Sequence, residues 1–263
     1  MAAATVVTRA PQNAIGWRVR LVFAFGQISE GVQSTAFGFF LLYFYNQVLG
    51  LSGLLASMAI VLALVVDALV DPIVGSLSDR TRGRWGRRHP YMYSAAVPFA
   101  LCFYLLFAPP AGLGTSGLFV WLLSFSILTR VTQSCYSIPH TAMTAELTSE
   151  YDERTLLSAL RSLMGSVGTL LVFLLGLQGY FKATDLYPNG QLNPAAYPVF
   201  GATFAMIICA GVWASAFGTH DQIARLPQHT ATGERFSLLQ VLTDATRAFS
   251  LRSFKGMVVT CVL

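Results

Sequence analysis

Six apolar windows recur along the chain, at 20–48, 52–78, 91–110, 117–142, 157–181 and 197–218, and each is long enough to cross a lipid bilayer. A bilayer core about 30 Å thick needs roughly 20 apolar residues in helical form, whereas a barrel strand crosses in about 10. Inside hydrocarbon every backbone N–H and C=O must be satisfied within the chain, so windows of this length fold as helices. The chain is therefore expected to be an all-α membrane protein with six spans. Its charged residues make up only 11%, well under the roughly 25% of a soluble domain, and its mean hydropathy of +0.58 excludes a soluble globule. A seventh window opens at Gly256, but GMVVTCVL is too short to cross. The expected organisation is a six-helix transmembrane bundle over 1–218, a cytoplasmic linker over 219–255 and the start of a seventh helix over 256–263. On this reading the chain is the N-terminal part of something longer, and its main partner is a missing C-terminal half. Within the linker, Leu238, Leu242, Ala245 and Phe249 recur at helical spacing, which predicts an amphipathic helix on the membrane face.

Arginine placement orients the bundle, because short cytoplasmic loops carry the Lys/Arg excess. With the N-terminus inside, the cytoplasmic segments hold Arg9, Arg18 and Arg20, then Arg80, Arg82, Arg84, Arg87 and Arg88, then Arg154, then Arg225, Arg235, Arg247, Arg252 and Lys255. The opposite loops hold only Lys182. Topology thus explains the net charge of +5, and the basic run joining two apolar spans faces anionic headgroups rather than nucleic acid. The first apolar segment is too long for a cleavable signal. A multi-pass protein of a bacterial inner (plasma) membrane, N-terminus cytoplasmic, is expected. Cys102, Cys135, Cys209 and Cys261 lie in apolar segments without a C-x-x-C pair and read as inert packed thiols.

Asp67 and Asp71 interrupt the second window. An ionisable group at bilayer depth costs roughly 2.5–3.5 kcal/mol on insertion scales, so such residues are kept mostly for ion pathways, proton relays or pairing. At i and i+4 on a helix the two share a face, with Cβ atoms about 5–6 Å apart. Both carboxylates can then reach one ion. Hard cations such as sodium take oxygen ligands, and Pro72, which cannot donate to the Ala68 carbonyl, frees one more. A proton carried by one of two closely set carboxylates is the other option. Glu30, Asp67 and Asp71 against Arg130 and Arg161 leave one net negative charge within the spans. One bound monovalent cation would neutralise it if all five groups share a cavity. The simpler reading for each is structural: acids hydrogen-bonded to neighbouring helices, Arg161 as an ion-pair strut, Arg130 compensating one acid, and His89 and His140 as packed polar residues.

Gly75-Ser-Leu-Ser-Asp79-Arg80-Thr-Arg-Gly83-Arg84-Trp85-Gly86-Arg87-Arg88 resembles the loop pattern of the major facilitator superfamily, G-x-x-x-D-R followed by a basic G-R-[KR] element. Together with Asp67-Ala-Leu-Val-Asp71-Pro72, it is similar to the glycoside-pentoside-hexuronide:cation symporter family, the melibiose permease-like branch. Further matches are Tyr43 to Ser52 (YFYNQVLGLS), Ile138-Pro139, Tyr151-Asp-Glu-Arg154-Thr and Arg161, so the resemblance covers nearly the whole chain. It implies a major facilitator fold with six helices present of twelve, each half built from two inverted three-helix units. It also implies symport of a sugar or related small solute, coupled to Na+ or H+ and moved by alternating access, with no other cofactor. The implied cation site is Asp67, Asp71 and Glu30, with Asp67 and Asp71 as the Na+ ligands if sodium couples. The resemblance places Arg161, Ser137 and Thr141 at solute-binding positions, and the polar run Thr129, Thr132, Gln133, Ser134, Tyr136 and Ser137 offers hydroxyl and amide partners, which adds Gln133 and Tyr136 to the expected solute residues. Gly75, Asp79, Arg80, Gly83, Arg84, Arg87 and Arg88 form the implied gating loop. Ser137 stands where melibiose-type permeases carry an acid and Thr141 where they carry an aromatic, which argues against a galactoside. The alternatives are a lipid or amphiphile transporter of the same superfamily, and a non-transporting scaffold or inactive half. An enzyme is not expected, for the chain has no Ser/His/Asp arrangement, zinc-ligand spacing or phosphate-cradling glycine loop.

Overall fold

A computed structural model describes residues 15–225 apart from positions 82 and 149. The linker helix expected over 238–249, the opening of a seventh helix and the basic residues at Arg9 and beyond 225 lie outside the described residues. Every regular element among those described is helical. Helix α1 runs as Trp17–Phe25 and Gln27–Thr35 around a break at Gly26, then continues in widened π turns over Ala36–Leu41 and Phe44–Val48. The others are α2 (Gly53–Arg80), α3 (His89–Phe107), α4 (Thr115–Leu147), α5 (Tyr151–Leu175, extended by a π turn over Gly176–Tyr180) and α6 (Ala196–Gly218). Five of these, α2 to α6, are unbroken, long and apolar enough to cross a membrane. The protein is an integral, multi-pass membrane protein.

The break in α1 lies at a close approach of other helices. A Cβ at Gly26 would meet the Tyr136 hydroxyl and lie 2.6 Å from Ser215 Cβ, so only glycine lets α4 and α6 close on this point. The Phe23 carbonyl beside the break accepts from the Gly26 N–H at 3.3 Å and, from outside the helix, from His140 Nε2 at 2.9 Å and Ser215 Oγ at 3.3 Å. Lower on the same helix, a Cβ at Gly168 of α5 would fall 2.5 Å from the Ile28 carbonyl oxygen. Small residues drive such close approach in membranes, where lipid tails remove the usual hydrophobic pull between helices.

The packing graph has a symmetry. α1 packs on α5 and α6, α2 on α4, and α3 on α4 and α6. Exchanging the first three helices for the last three maps this set onto itself, which is what two three-helix units related by a two-fold axis produce. At the end remote from the arginine loop the core is aromatic: Phe44 stacks on Tyr197 with centroids 4.0 Å apart, and Phe40 and Phe107 close on Phe200 at 5.3 and 5.2 Å. The buried polar tips there find backbone acceptors, Tyr45 on the Leu106 carbonyl and Trp121 on that of Leu105, both at 2.9 Å. α2 leaves Leu54, Val61, Leu64, Val65 and Leu69 exposed, an apolar face suited to lipid or further helices.

Candidate functional site

Where α1, α2 and α4 diverge, they leave a cavity of about 410 Å³. Glu30, Gln33, Ser34 and Phe37 line it from α1, Ile60, Asp67 and Asp71 from α2, and Arg130, Gln133, Ser134 and Ser137 from α4. The three acids singled out from the sequence therefore share one chamber with Gln133 and Ser137. Arg161, Thr141 and Tyr136 are not among its lining residues.

The α2 acids have different surroundings. Asp67 is ion-paired, its Oδ2 3.0 Å from Arg130 Nη1, while its Oδ1 accepts a hydrogen bond from Ser134 Oγ at 3.0 Å. The Arg130 guanidinium lies over the Phe37 ring, 5.4 Å from its centroid, within the range of a cation–π contact. Asp71, one turn on, has its Oδ1 buried with no hydrogen-bond partner. Pro72 follows it inside a helix that continues to Arg80. Among the described residues no three His, Cys, Asp or Glu side chains converge to hold a metal ion. A cation bound between these helices would draw on Asp71 with hydroxyl, amide or backbone oxygens, rather than on a cage of carboxylates.

A second polar cluster borders the chamber. Arg161 donates to Gln27 Oε1 at 2.9 Å, to Thr141 Oγ1 at 2.9 Å and to Thr144 Oγ1 at 3.2 Å. The Gln27 amide nitrogen in turn donates to Glu30 Oε2. Gln27 thus joins the arginine to the acid through one amide, with each of its polar atoms engaged. Sequence reasoning passed over Gln27, because an amide in an apolar segment carries no charge to mark it.

Tyr136 is fully buried, with its hydroxyl against Gly26 and its ring stacked on His140 at 5.0 Å. It packs α4 against the broken helix α1 and does not face the chamber. His140, also fully buried, donates from Nε2 to the Phe23 carbonyl as a packed polar residue does.

The arginine loop folds onto an acid that the sequence reading did not single out. Arg87 Nη2 and Arg88 Nη2 both lie 2.5 Å from Glu146 Oε1, and Arg88 also reaches Asp79 at 3.0 Å. Glu146 sits on the last turn of α4, which runs through Leu147, beyond the apolar window that ends at 142. Arg154 holds the same helix end through the Ala145 and Thr148 carbonyls, and Arg20 pairs with Glu153. Gly75 packs α2 on Ile138 of α4, Gly86 turns the loop with φ of +70°, and Gly83 and Arg84 are exposed.

The sequence is similar to those of known proteins. An uncharacterized symporter of Synechocystis sp., sll1374, is 34% identical over 164 residues, covering 59% of this chain and 30% of its own length. The isoprimeverose transporter of Lactiplantibacillus pentosus is 30% identical over 203 residues, covering 76% of this chain and 41% of its own length. The sodium-dependent lysophosphatidylcholine symporter 1-A of Danio rerio is 33% identical over 153 residues, covering 58% of this chain and 28% of its own length. The chain thus spans less than half the length of these curated relatives. The pattern of one family extends over residues 22–261, nearly the whole sequence. With the helical architecture and the arginine loop it agrees that this chain belongs to the MFS/sugar transport protein family.

Proposed function

We propose that the protein works as a cation-coupled symporter, moving a sugar or related small polar solute together with Na+ or H+ by alternating access. The observation that carries this reading is the chamber between α1, α2 and α4, in which Glu30, Asp67 and Asp71 meet the amide of Gln133 and the hydroxyls of Ser134 and Ser137. Acids at this depth are costly unless an ion uses them, and the amide and hydroxyl groups suit solute hydroxyls. Cation and solute bound in one chamber each favour the other, a reciprocal linkage that couples their movement. Arg161, with Thr141, bounds the solute side. Arg87 and Arg88, with Asp79 and Glu146, hold the cytoplasmic helix ends together in one orientation of the carrier.

In the same reading α1 to α6 are the first six helices of a twelve-helix carrier whose N-terminus is cytoplasmic, in a bacterial plasma membrane. A second half encloses the chamber from the other side.

A second reading, transport of an amphiphile entering from the bilayer, draws on the name of the zebrafish relative and on Ser137 standing where a sugar-binding acid would be. Reconstituted vesicles given inward Na+ or H+ gradients decide between them, with isoprimeverose and lysophosphatidylcholine as the two solutes. Gradient-driven accumulation of the sugar supports the first reading and of the lysolipid the second. Uptake indifferent to both gradients rejects symport.

A further inference from the structure

We propose that Arg130 is a cation built into the site: it serves Asp67 in place of an inorganic ion and leaves Asp71 as the carboxylate that receives the coupling cation. The inference rests on the symport reading and assigns the ion within it. Both oxygens of Asp67 already have partners, Oδ2 facing Arg130 at 3.0 Å and Oδ1 accepting from Ser134 at 3.0 Å, and its charge is compensated by the guanidinium. A guanidinium does not lose its proton in a protein, so this compensation is permanent while the pair is made. Phe37 holds the guanidinium from its other face. Asp71 differs: Ser134 reaches it too, yet among the described residues its buried Oδ1 has no hydrogen-bond partner, in a chamber large enough for an ion.

The charges of the chamber and of the Arg161 cluster that borders it divide the same way. Asp67 and Arg130 cancel. Glu30 and Arg161 cancel through Gln27, whose amide accepts from the arginine and donates to the acid. The single negative charge left over is that of Asp71. One monovalent cation at Asp71 therefore neutralises the chamber, and a second has no carboxylate to occupy. Arg130 sets both the number of ions and their place.

The test uses the protein as its cell makes it, reconstituted in vesicles on a solid-supported membrane, with sodium jumps and acid jumps applied in the absence of solute. Charge-displacement current reports ion binding directly. The inference expects Asp71→Asn to abolish the current that the unaltered protein gives. Asp67→Asn leaves Arg130 uncompensated beside Asp71 and weakens the apparent ion affinity by about tenfold or more, a unit charge acting over a few ångströms. Adding Arg130→Gln to Asp67→Asn restores the affinity to within about threefold. Arg130→Gln alone tightens it and adds a second ion, whereas Arg130→Lys, which keeps the charge, does neither. The inference is overturned if the paired variant stays as weak as Asp67→Asn, if Asp71→Asn keeps its current, or if Arg130→Gln behaves as the unaltered protein. An unaltered protein silent to both ions removes the symport reading and this inference with it.

Discussion

Arg88 is clamped on Glu146, its Nη2 2.5 Å and its Nε 2.6 Å from the same carboxylate oxygen, Oε1. The contact ties the start of α3 to the end of α4, and both side chains are nearly buried, at 7% and 9% exposure. Removing one partner of a buried pair leaves an uncompensated charge and costs about 3–5 kcal/mol. Glu146→Gln is therefore expected to lower the thermal unfolding midpoint of the purified protein markedly. Arg87→Gln is expected to lower it much less, because Arg87 is more exposed and Glu146 keeps Arg88. Equal shifts in the two variants would show that the clamp does not hold this end of the bundle.

His140 is expected to matter for folding and not for ion coupling. His140→Phe keeps the ring packed between Phe23 and Tyr136 but deprives the Phe23 carbonyl of its 2.9 Å donor. The carbonyl keeps Ser215 Oγ and the Gly26 N–H, each at 3.3 Å, so the change removes one hydrogen bond and costs about 0.5–1.5 kcal/mol. Thermal unfolding reads that loss, while the ion selectivity of uptake stays the same. A change of coupling ion in His140→Phe would instead mark the histidine as a proton relay.

Gly168→Leu is expected to separate α1 from α5. Even a Cβ at this position meets the Ile28 carbonyl at 2.5 Å, and overpacking of a close contact costs about 1–3 kcal/mol or more. Yield of monodisperse protein and its unfolding midpoint both fall. Gly38→Ala, where none of the described residues stands within 4 Å, is the matched control and leaves both unchanged.

Gln27→Leu, nearly the same in volume, cuts the connection between Arg161 and Glu30. Solute affinity is expected to weaken by about tenfold, the scale of a lost charge-assisted hydrogen bond. Measured as the half-saturating solute concentration for uptake, an unchanged value would show that the amide only fills space.

The acids were legible in the sequence because a charge in an apolar window stands out, and i, i+4 spacing decides that two share a face. That Glu30 lines the same chamber rests on α1 and α2 both bordering it, which spacing within one helix does not encode. The pairing of α2 with α4 brings Arg130 to Asp67 from 63 residues away, and so the partner of Asp67 was open until the helices were placed. Tyr136 fell in a polar run that reads as one solute-facing strip, yet a helix turns successive residues to different sides, and Gly26 makes room for its hydroxyl behind the chamber. Glu146 escaped notice because hydropathy ends a window where charge begins, whereas α4 continues through Leu147. The first window reads as a plain span. The helix there breaks at Gly26, where α4 and α6 close on it, a contact that its own residues do not encode.

The most direct test of the account is uphill uptake by Asp71→Asn in reconstituted vesicles, compared with solute exchange in the same vesicles without a gradient. The account predicts that exchange persists while accumulation against a solute gradient is lost, whether sodium or protons are supplied. Accumulation by Asp71→Asn equal to that of the unaltered protein would contradict it.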